Sequence, residues 1–293
     1  MLKTMFNNQD CNLCGASEFI PLYEEKAKLD SEIKFTLVKC KECELMFVHP
    51  QPPQEMKGWL QLPLINDRIL ITQGAYKHGV YHYLCGQIQK HFKHTLEAEY
   101  KILDIGCGIG EFLNHCAGMG WGVAGVEPAL AQAAFAQQRG LPVLHGYFSS
   151  FSKEAFKYNV LTLLDVLEHV NNPSELLKEI YESIVPNTLL IIRVPYGPFQ
   201  LIRAKMFKIL FRRDTALLGV KDHLFQFSDK TIKQFLEKTG FKVLKIEPSV
   251  YETTRRNNRV LNVIKKLYIL MSRLYYYLFK GIISNSMIVY AVK

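Results

Sequence analysis

The sequence predicts an α/β protein: a parallel sheet with helices on both faces, preceded by a small cysteine-rich module. Three observations carry this reading. Short apolar runs (KILDI at 101–105, GVAGVE at 122–127, NVLTLLDV at 159–166, TLLIIRV at 188–194) alternate with stretches of helical character such as 128–139 and 173–185, and strands alternating with helices imply βαβ units and a sheet covered on both sides. A glycine-rich turn follows the first of these runs directly, and four of the seven cysteines gather in the first 50 residues.

The bulk properties suit that architecture. At 293 residues, 48% hydrophobic and 22% charged, the chain has material for one large domain and a smaller module, and disorder is not expected. The start, MLKTMFNNQD, lacks the charged end, apolar stretch and cleavage site of a secretory signal, so a cytoplasmic location is expected. An odd number of cysteines without scaffold-like spacing reads as reduced thiols. A net charge of +9 and a pI near 9.1 favour anionic partners, whether nucleic acid, phosphorylated substrates or anionic lipid.

Residues 1–53 form the cysteine module, closed by Pro50, Pro52 and Pro53, which continue neither a helix nor a strand ladder. Residues 54–98 read as a helical connector, because Tyr76, Val80, Tyr83, Leu84, Ile88 and Phe92 recur at helical spacing within 75–96. The main domain occupies 99–293. Two of its stretches depart from the strand–helix alternation. Residues 196–221 are basic and mix Phe, Leu and Ile with Arg and Lys, like an inserted cap. Residues 255–280 combine RRNNR and KK with LYILMSRLYYYLF, too short and too interrupted by Arg273 to span a bilayer but compatible with an interfacial helix on the inner face of a membrane. SMIVYAVK, at the end of the sequence, reads as a last strand.

KILDIGCGIGEF places a strand ahead of Gly106, Gly108 and Gly110, with a helix expected from GEFLNHCAGM. Glycine is needed at such a turn where a ligand approaches the backbone closely or φ is positive. The spacing is G-x-G-x-G rather than that of dinucleotide enzymes, and Asp104 lies two residues before the first glycine. Glu127 ends the next apolar run, 21 residues beyond Gly106. A carboxylate at a strand tip accepts hydrogen bonds from both hydroxyls of a ribose, so turn and carboxylate together specify a nucleoside site.

LDIGCGIGEF, VEP at 126–128 and LLDVLEHVNNP at 163–173 resemble the successive motifs of class I S-adenosylmethionine methyltransferases, closely over about 95–195. The resemblance implies a Rossmann-like fold in which Asp104 and the glycines surround the methionine and ribose of the donor, Glu127 holds the ribose, and Asp165 belongs to the donor site. The stretch matching the family's adenine-binding acid reads HGYFSSF, so adenine is expected to rest on backbone and aromatic contacts, with Tyr147 or Phe148 the candidates.

Methyl transfer needs a nucleophile held against the methyl carbon, and a base only where that nucleophile carries a proton. Two histidines are candidates. His169 follows Asp165 and Glu168; on one helical turn the three would share a face, and the trio resembles the divalent-ion ligands of ubiquinone-pathway O-methyltransferases. Capping and loop packing are the preferred reading of Glu168 and His169, so no obligatory magnesium is expected. His223, in KDHLFQFS, resembles a histidine that serves as base or substrate ligand in sugar-nucleotide methyltransferases; the tyrosine those enzymes carry three residues earlier is Val220 here. A substrate-side role and a packing role for His223 both stay open.

Cys11-x-x-Cys14 and Cys40-x-x-Cys43 supply two knuckles for one tetrahedral structural zinc, with no open coordination position for catalysis. A similar module precedes the domain in the sugar methyltransferases. The leading expectation is therefore methylation of a small anionic acceptor, a nucleotide-linked or lipid-linked sugar of glycan biosynthesis, with the basic insertion serving phosphates. The alternative is O-methylation of a quinone precursor or lipid-like acceptor, with 255–280 on a membrane surface. A zinc-ribbon nucleic-acid-binding protein is the rival of another class; against it, the ribbon has few basic residues interleaved with aromatics.

Overall fold

The computed structural model describes residues 10–26, 34–52, 77–92, 100–211, 218–220, 222–250 and 259–293. Most of the predicted connector, 54–98, lies outside them. Its helix is present as α1, His78–His91, which buries Val80, Leu84, Cys85 and Ile88, the one-face set its spacing requires.

The main sheet has seven strands in the order β10-β11-β8-β7-β4-β5-β6. The strands β4 (Lys101–Ile105), β5 (Gly122–Glu127), β6 (Val143–His145), β7 (Val160–Leu164) and β8 (Leu189–Pro195) are parallel. β11 (Ser286–Val292) runs antiparallel between β8 and β10 (Lys242–Pro248). From β4 the chain winds outward through β5 and β6, then returns to place β7 and β8 on the other side. That reversal leaves a crevice at the carboxyl ends of β4 and β7, where ligands bind in open α/β sheets.

Local sequence explains the flanking helices. α2 (Glu111–Ala117) follows the glycine turn, and α3 (Leu130–Gln138) follows β5. α4 (Pro173–Ser183) starts with Asn172 as cap, its side chain accepting from the Glu175 amide, and has proline in its first turn, the position where proline's missing donor costs nothing. The basic insertion is a helix, α5 (Gly197–Phe211). α6 (Asp229–Thr239) opens on a Ser228/Thr231 capping box and closes on Gly240 in the left-handed region. The 255–280 segment contains α7, Arg259–Phe279. Among the described residues no helix is long and apolar enough to cross a membrane.

The cysteine module is not separate from the main domain in its packing. β1 (Phe19–Lys26), β2 (Lys34–Cys40) and β3 (Met46–Val48) form an antiparallel sheet completed by β9, Phe225–Gln226, with Phe47 opposite Phe225. Leu13, Val38, Leu45 and Phe47 share one buried cluster with Leu103, Leu163, Phe225 and Phe235. Asn12 adds polar ties by accepting from the Ser174 amide and hydroxyl at 3.0 and 2.8 Å. A four-strand ribbon with a two-residue edge strand has little core of its own, and this shared cluster supplies it.

Candidate active site

A cleft of about 590 Å³ opens where the strand order reverses, within the size range of small-molecule sites. Gly106, Gly108, Glu127, Tyr147, Phe148, His169 and His223 are among the residues that line it. Strand ends and short loops carry all of these groups, because β4 and β5 deliver their last residues to the same edge.

The glycine turn is built by two requirements. Gly106 has φ +72°, and a Cβ there would lie 2.6 Å from Cγ2 of Val166, the residue after Asp165. The Gly106 and Cys107 amides donate to the Val126 carbonyl, and the Gly108 amide donates to Glu127 Oε2 at 2.8 Å. Glu127 Oε1 accepts from the Ala129 amide at 2.8 Å. Each carboxylate oxygen has two acceptor positions, so Glu127 holds the turn together and keeps acceptor capacity for a diol. Burial raises its carboxyl above the ordinary value, while the two amide donors pull it down.

Two residues expected around the donor do not reach the cleft. Asp104 is buried beneath its floor, where it accepts a hydrogen bond from the Thr162 hydroxyl; burial pushes its carboxyl up to about 7. Gly110 faces inward, and a Cβ there would lie 2.4 Å from Leu141 Cδ1. Glycine at 110 is required by packing under the turn, and Gly110 is not among the residues that line the cleft.

Asp165, Glu168 and His169 do not share the helical face on which a joint ion site would depend. Asp165 takes φ +62° instead of helical geometry, and only Leu167–His169 make a short 3₁₀ turn. The Asp165 carboxylate borders the cleft but is held by Arg193 and by Lys77 Nζ at 2.5 Å. Burial opposes its ionisation, yet the Arg193 and Lys77 charges prevail and hold it well below the usual carboxylate range. Arg193 and Lys77 were not legible as partners of Asp165: each is distant from it in sequence, and a single cation within an apolar strand carries no motif.

In place of that trio, Glu168, His169 and His223 converge, with one ligand-capable atom from each within 4.8 Å of the others. Glu168 is buried and its carboxyl is raised well above the ordinary value by desolvation and then by the Asp165 charge. His169 Nδ1 lies 2.7 Å from the Asp222 carbonyl. A carbonyl only accepts, so Nδ1 is the donor and Nε2 is the basic nitrogen of the neutral ring. The His223 ring packs against His169 with centroids 4.8 Å apart. Burial lowers the His223 imidazole to about 4, so it is neutral at pH 7.

Among the described residues no lysine or arginine lines the cleft, whereas Glu175, Glu179 and Asp222 do. α5, the described helical part of the basic insertion, contributes no residue to the lining. Val220 is fully buried and brings no hydroxyl to the site. At the other end of the chain, Cys11 Sγ lies 3.4 Å from Cys43 Sγ, and Cys14 Sγ 3.5 Å from Cys40 Sγ, with all four sulfurs within 4.8 Å. Tetrahedral zinc with bonds of about 2.3 Å requires sulfurs about 3.8 Å apart, so this donor set has the right size for such an ion.

Residues 76–246 match a family model described as a methyltransferase domain. Among curated proteins, the chain is similar to the mitochondrial ubiquinone biosynthesis O-methyltransferase of Saccharomyces cerevisiae, 26% identical over 140 residues, 43% of this chain and 45% of that protein. It is also similar to the Schizosaccharomyces pombe protein of the same name, 32% identical over 100 residues, 31% and 36% of the two chains. The chain thus spans less than half the length of these relatives. Among solved structures, the plantazolicin methyltransferase BpumL, crystallised with S-adenosylhomocysteine (SAH), superimposes with a TM-score of 0.54 at 14% identity, over 81% of this chain and 93% of that one. The seven-stranded sheet, the glycine turn at its switch point and a family match over more than half of the sequence agree: the chain belongs to the methyltransferase-domain family and carries a class I, S-adenosylmethionine-dependent methyltransferase domain.

Proposed function

We propose that the chain is an O-methyltransferase acting on a hydroxyl of a small, unphosphorylated acceptor of the quinone-precursor kind. The single observation that carries the acceptor class is the lining of the cleft: among the described residues, Glu175, Glu179 and Asp222 line it beside the two histidines and no lysine or arginine does. A nucleotide diphosphate would be repelled there, whereas a phenolic ring meets Leu176, Val170 and the two imidazoles. The names of the curated relatives support the same reading. The cysteine module supports the second reading, a sugar-linked acceptor, and a panel of substrates separates the two.

S-adenosylmethionine supplies an electrophilic methyl group when bound. Glu127 and the Gly106–Gly108 backbone would hold its ribose and Tyr147 and Phe148 would border the adenine; His169 Nε2 would accept the proton of the acceptor hydroxyl as the new O–CH3 bond replaces the sulfonium S–CH3 bond, leaving SAH. The Asp222 carbonyl fixes the tautomer that makes this possible. His223, neutral and packed against His169, positions that ring. Four thiolates, Cys11, Cys14, Cys40 and Cys43, hold a structural zinc that joins the two knuckles beside the shared core. Incubation of the chain with labelled methyl donor and a panel of catechols, polyprenylated phenols and sugar nucleotides tests the reading: label is expected in the phenols, and label in sugar nucleotides alone overturns it.

A further inference from the structure

α7 presents its apolar stripe outward. Val260, Ile264, Leu267, Met271, Leu274 and Leu278 follow one another at alternating spacings of four and three, which places them on one helix face, and all six are exposed, Leu267 at 57% and Met271 at 65%. Polar groups off that stripe tie the helix down. Ser272 and Tyr268 donate to the Ile283 carbonyl, Tyr276 donates to the Ile246 carbonyl at 2.6 Å, and Arg273 donates to Tyr83 at 3.0 Å and lies 3.6 Å from buried Glu247. An ordinary surface helix has the reverse arrangement. α5 adds a second exposed apolar set, with Ile209 and Leu210 at 77% and 68%, and meets α7 where Phe199 stacks on Tyr268 with centroids 6.4 Å apart. Contiguous apolar surface of this kind marks an interaction site.

Charge identifies the occupant. Segments 197–213 and 253–280 carry twelve of the 36 lysines and arginines and none of the 27 aspartates and glutamates, so the rest of the chain is net negative, 24 cations against 27 anions. The whole positive excess of the protein therefore sits in and beside these two helices. We infer that α7, assisted by α5, docks the enzyme on a bilayer surface bearing anionic headgroups, its apolar face in the acyl boundary, while the cations of the two segments other than Arg273 draw it to the phosphates. A second copy of the chain is a poorer occupant, because like-charged helices without acidic partners repel and the positions flanking the stripe, Val263, Leu270 and Tyr277 on one side and Tyr268 and Tyr275 on the other, carry no charge to set a pairing. Both helices depart from the carboxyl edge of the sheet, since Ser286 at the start of β11 pairs with Pro195 at the end of β8. The inference rests on the surface alone and stands whatever the acceptor is.

Flotation of the full chain with phosphatidylcholine vesicles, with and without phosphatidylglycerol, tests it. The chain is expected to float with the anionic vesicles and to be released by rising salt. Leu267→Glu with Leu274→Glu is expected to weaken binding at least ten-fold, with SAH affinity and melting temperature unchanged; Phe156→Glu, at another exposed apolar site, is expected to bind as wild type. No flotation of folded chain, or flotation indifferent to the double substitution, overturns the inference. Sedimentation of wild type as a dimer that the double substitution splits, without vesicle binding, assigns the stripe to a second copy and equally overturns it.

Discussion

Glu127 shows what a single residue does in this site: one carboxylate caps the glycine turn, caps the start of α3 and retains lone pairs for a ribose. Replacing it by glutamine keeps the shape but sets an amide against two backbone donors. Glu127→Gln is expected to weaken SAH binding by about ten- to a hundred-fold, the scale of one or two lost charge-assisted hydrogen bonds. Asp165 works otherwise. With Arg193 only 5% exposed, Asp165→Asn leaves a buried cation without its partner and is expected to destabilise the fold by about 3–5 kcal/mol in denaturant titration. Asp104 sets a pH dependence. Its folded value, about 7, lies above the unfolded value of about 4. Between those values the folded chain binds a proton that the unfolded chain has released, so stability falls as pH rises through that window. Burial gives Glu127 and Glu168 the same sign, whereas Asp165 contributes stability above about pH 4 that is lost on acidification. Asp104→Asn is expected to flatten the fall in melting temperature between pH 4 and 7, and an unchanged slope would contradict its assignment. His169→Ala is expected to lower turnover by about 10²- to 10⁴-fold with unchanged SAH affinity, as loss of a general base does. Glu127, Gly106 and Gly108 were legible as site residues because motif spacing and strand ends fix them. Asp165 was legible as present but not in its role, since its partners lie 28 and 88 residues away and nothing local announces φ +62° at an aspartate.

At the scale of elements, the helices read from apolar spacing lie where expected, with ends moved by a few residues to the capping groups. α4 stops at Ser183 rather than 185, and α3 begins at Leu130 rather than 128. β10 and the antiparallel setting of β11 were not legible: KVLKIEP is exposed at several positions, so its pattern lacks the apolar run that marked the parallel strands. The turn between β4 and α2 is expected to tolerate no side chain at 106 or 110. Gly110→Ala pairs a positive φ with a clash against Leu141 and is expected to cost about 1–3 kcal/mol in stability. The cysteine knuckles were fully legible from spacing. Metal analysis is expected to find one zinc per chain; after chelation, zinc is expected to restore the melting temperature and magnesium is not, and rescue by magnesium alone would shift the metal to Glu168, His169 and His223.

Over the whole molecule, two facts were out of reach of local patterns. The shared core of module and main domain arises from Phe47 meeting Phe225, residues 178 positions apart in sequence, and no periodicity reports such pairing. The acidic lining of the cleft likewise depends on which loops meet; the net charge of +9 favours anionic partners but does not report that, among the described residues, the cleft itself is lined by carboxylates and no lysine or arginine. What did read through was the mostly parallel sheet, with the glycine turn and the Glu127 carboxylate brought together at the carboxyl ends of its strands. The account therefore turns on the cleft between the glycine turn and Glu127, and calorimetric titration of SAH into the zinc-loaded chain tests it most directly. It predicts one site per chain in the wild type and strongly weakened uptake by Glu127→Gln; no uptake by wild type, or equal uptake by the variant, would contradict it.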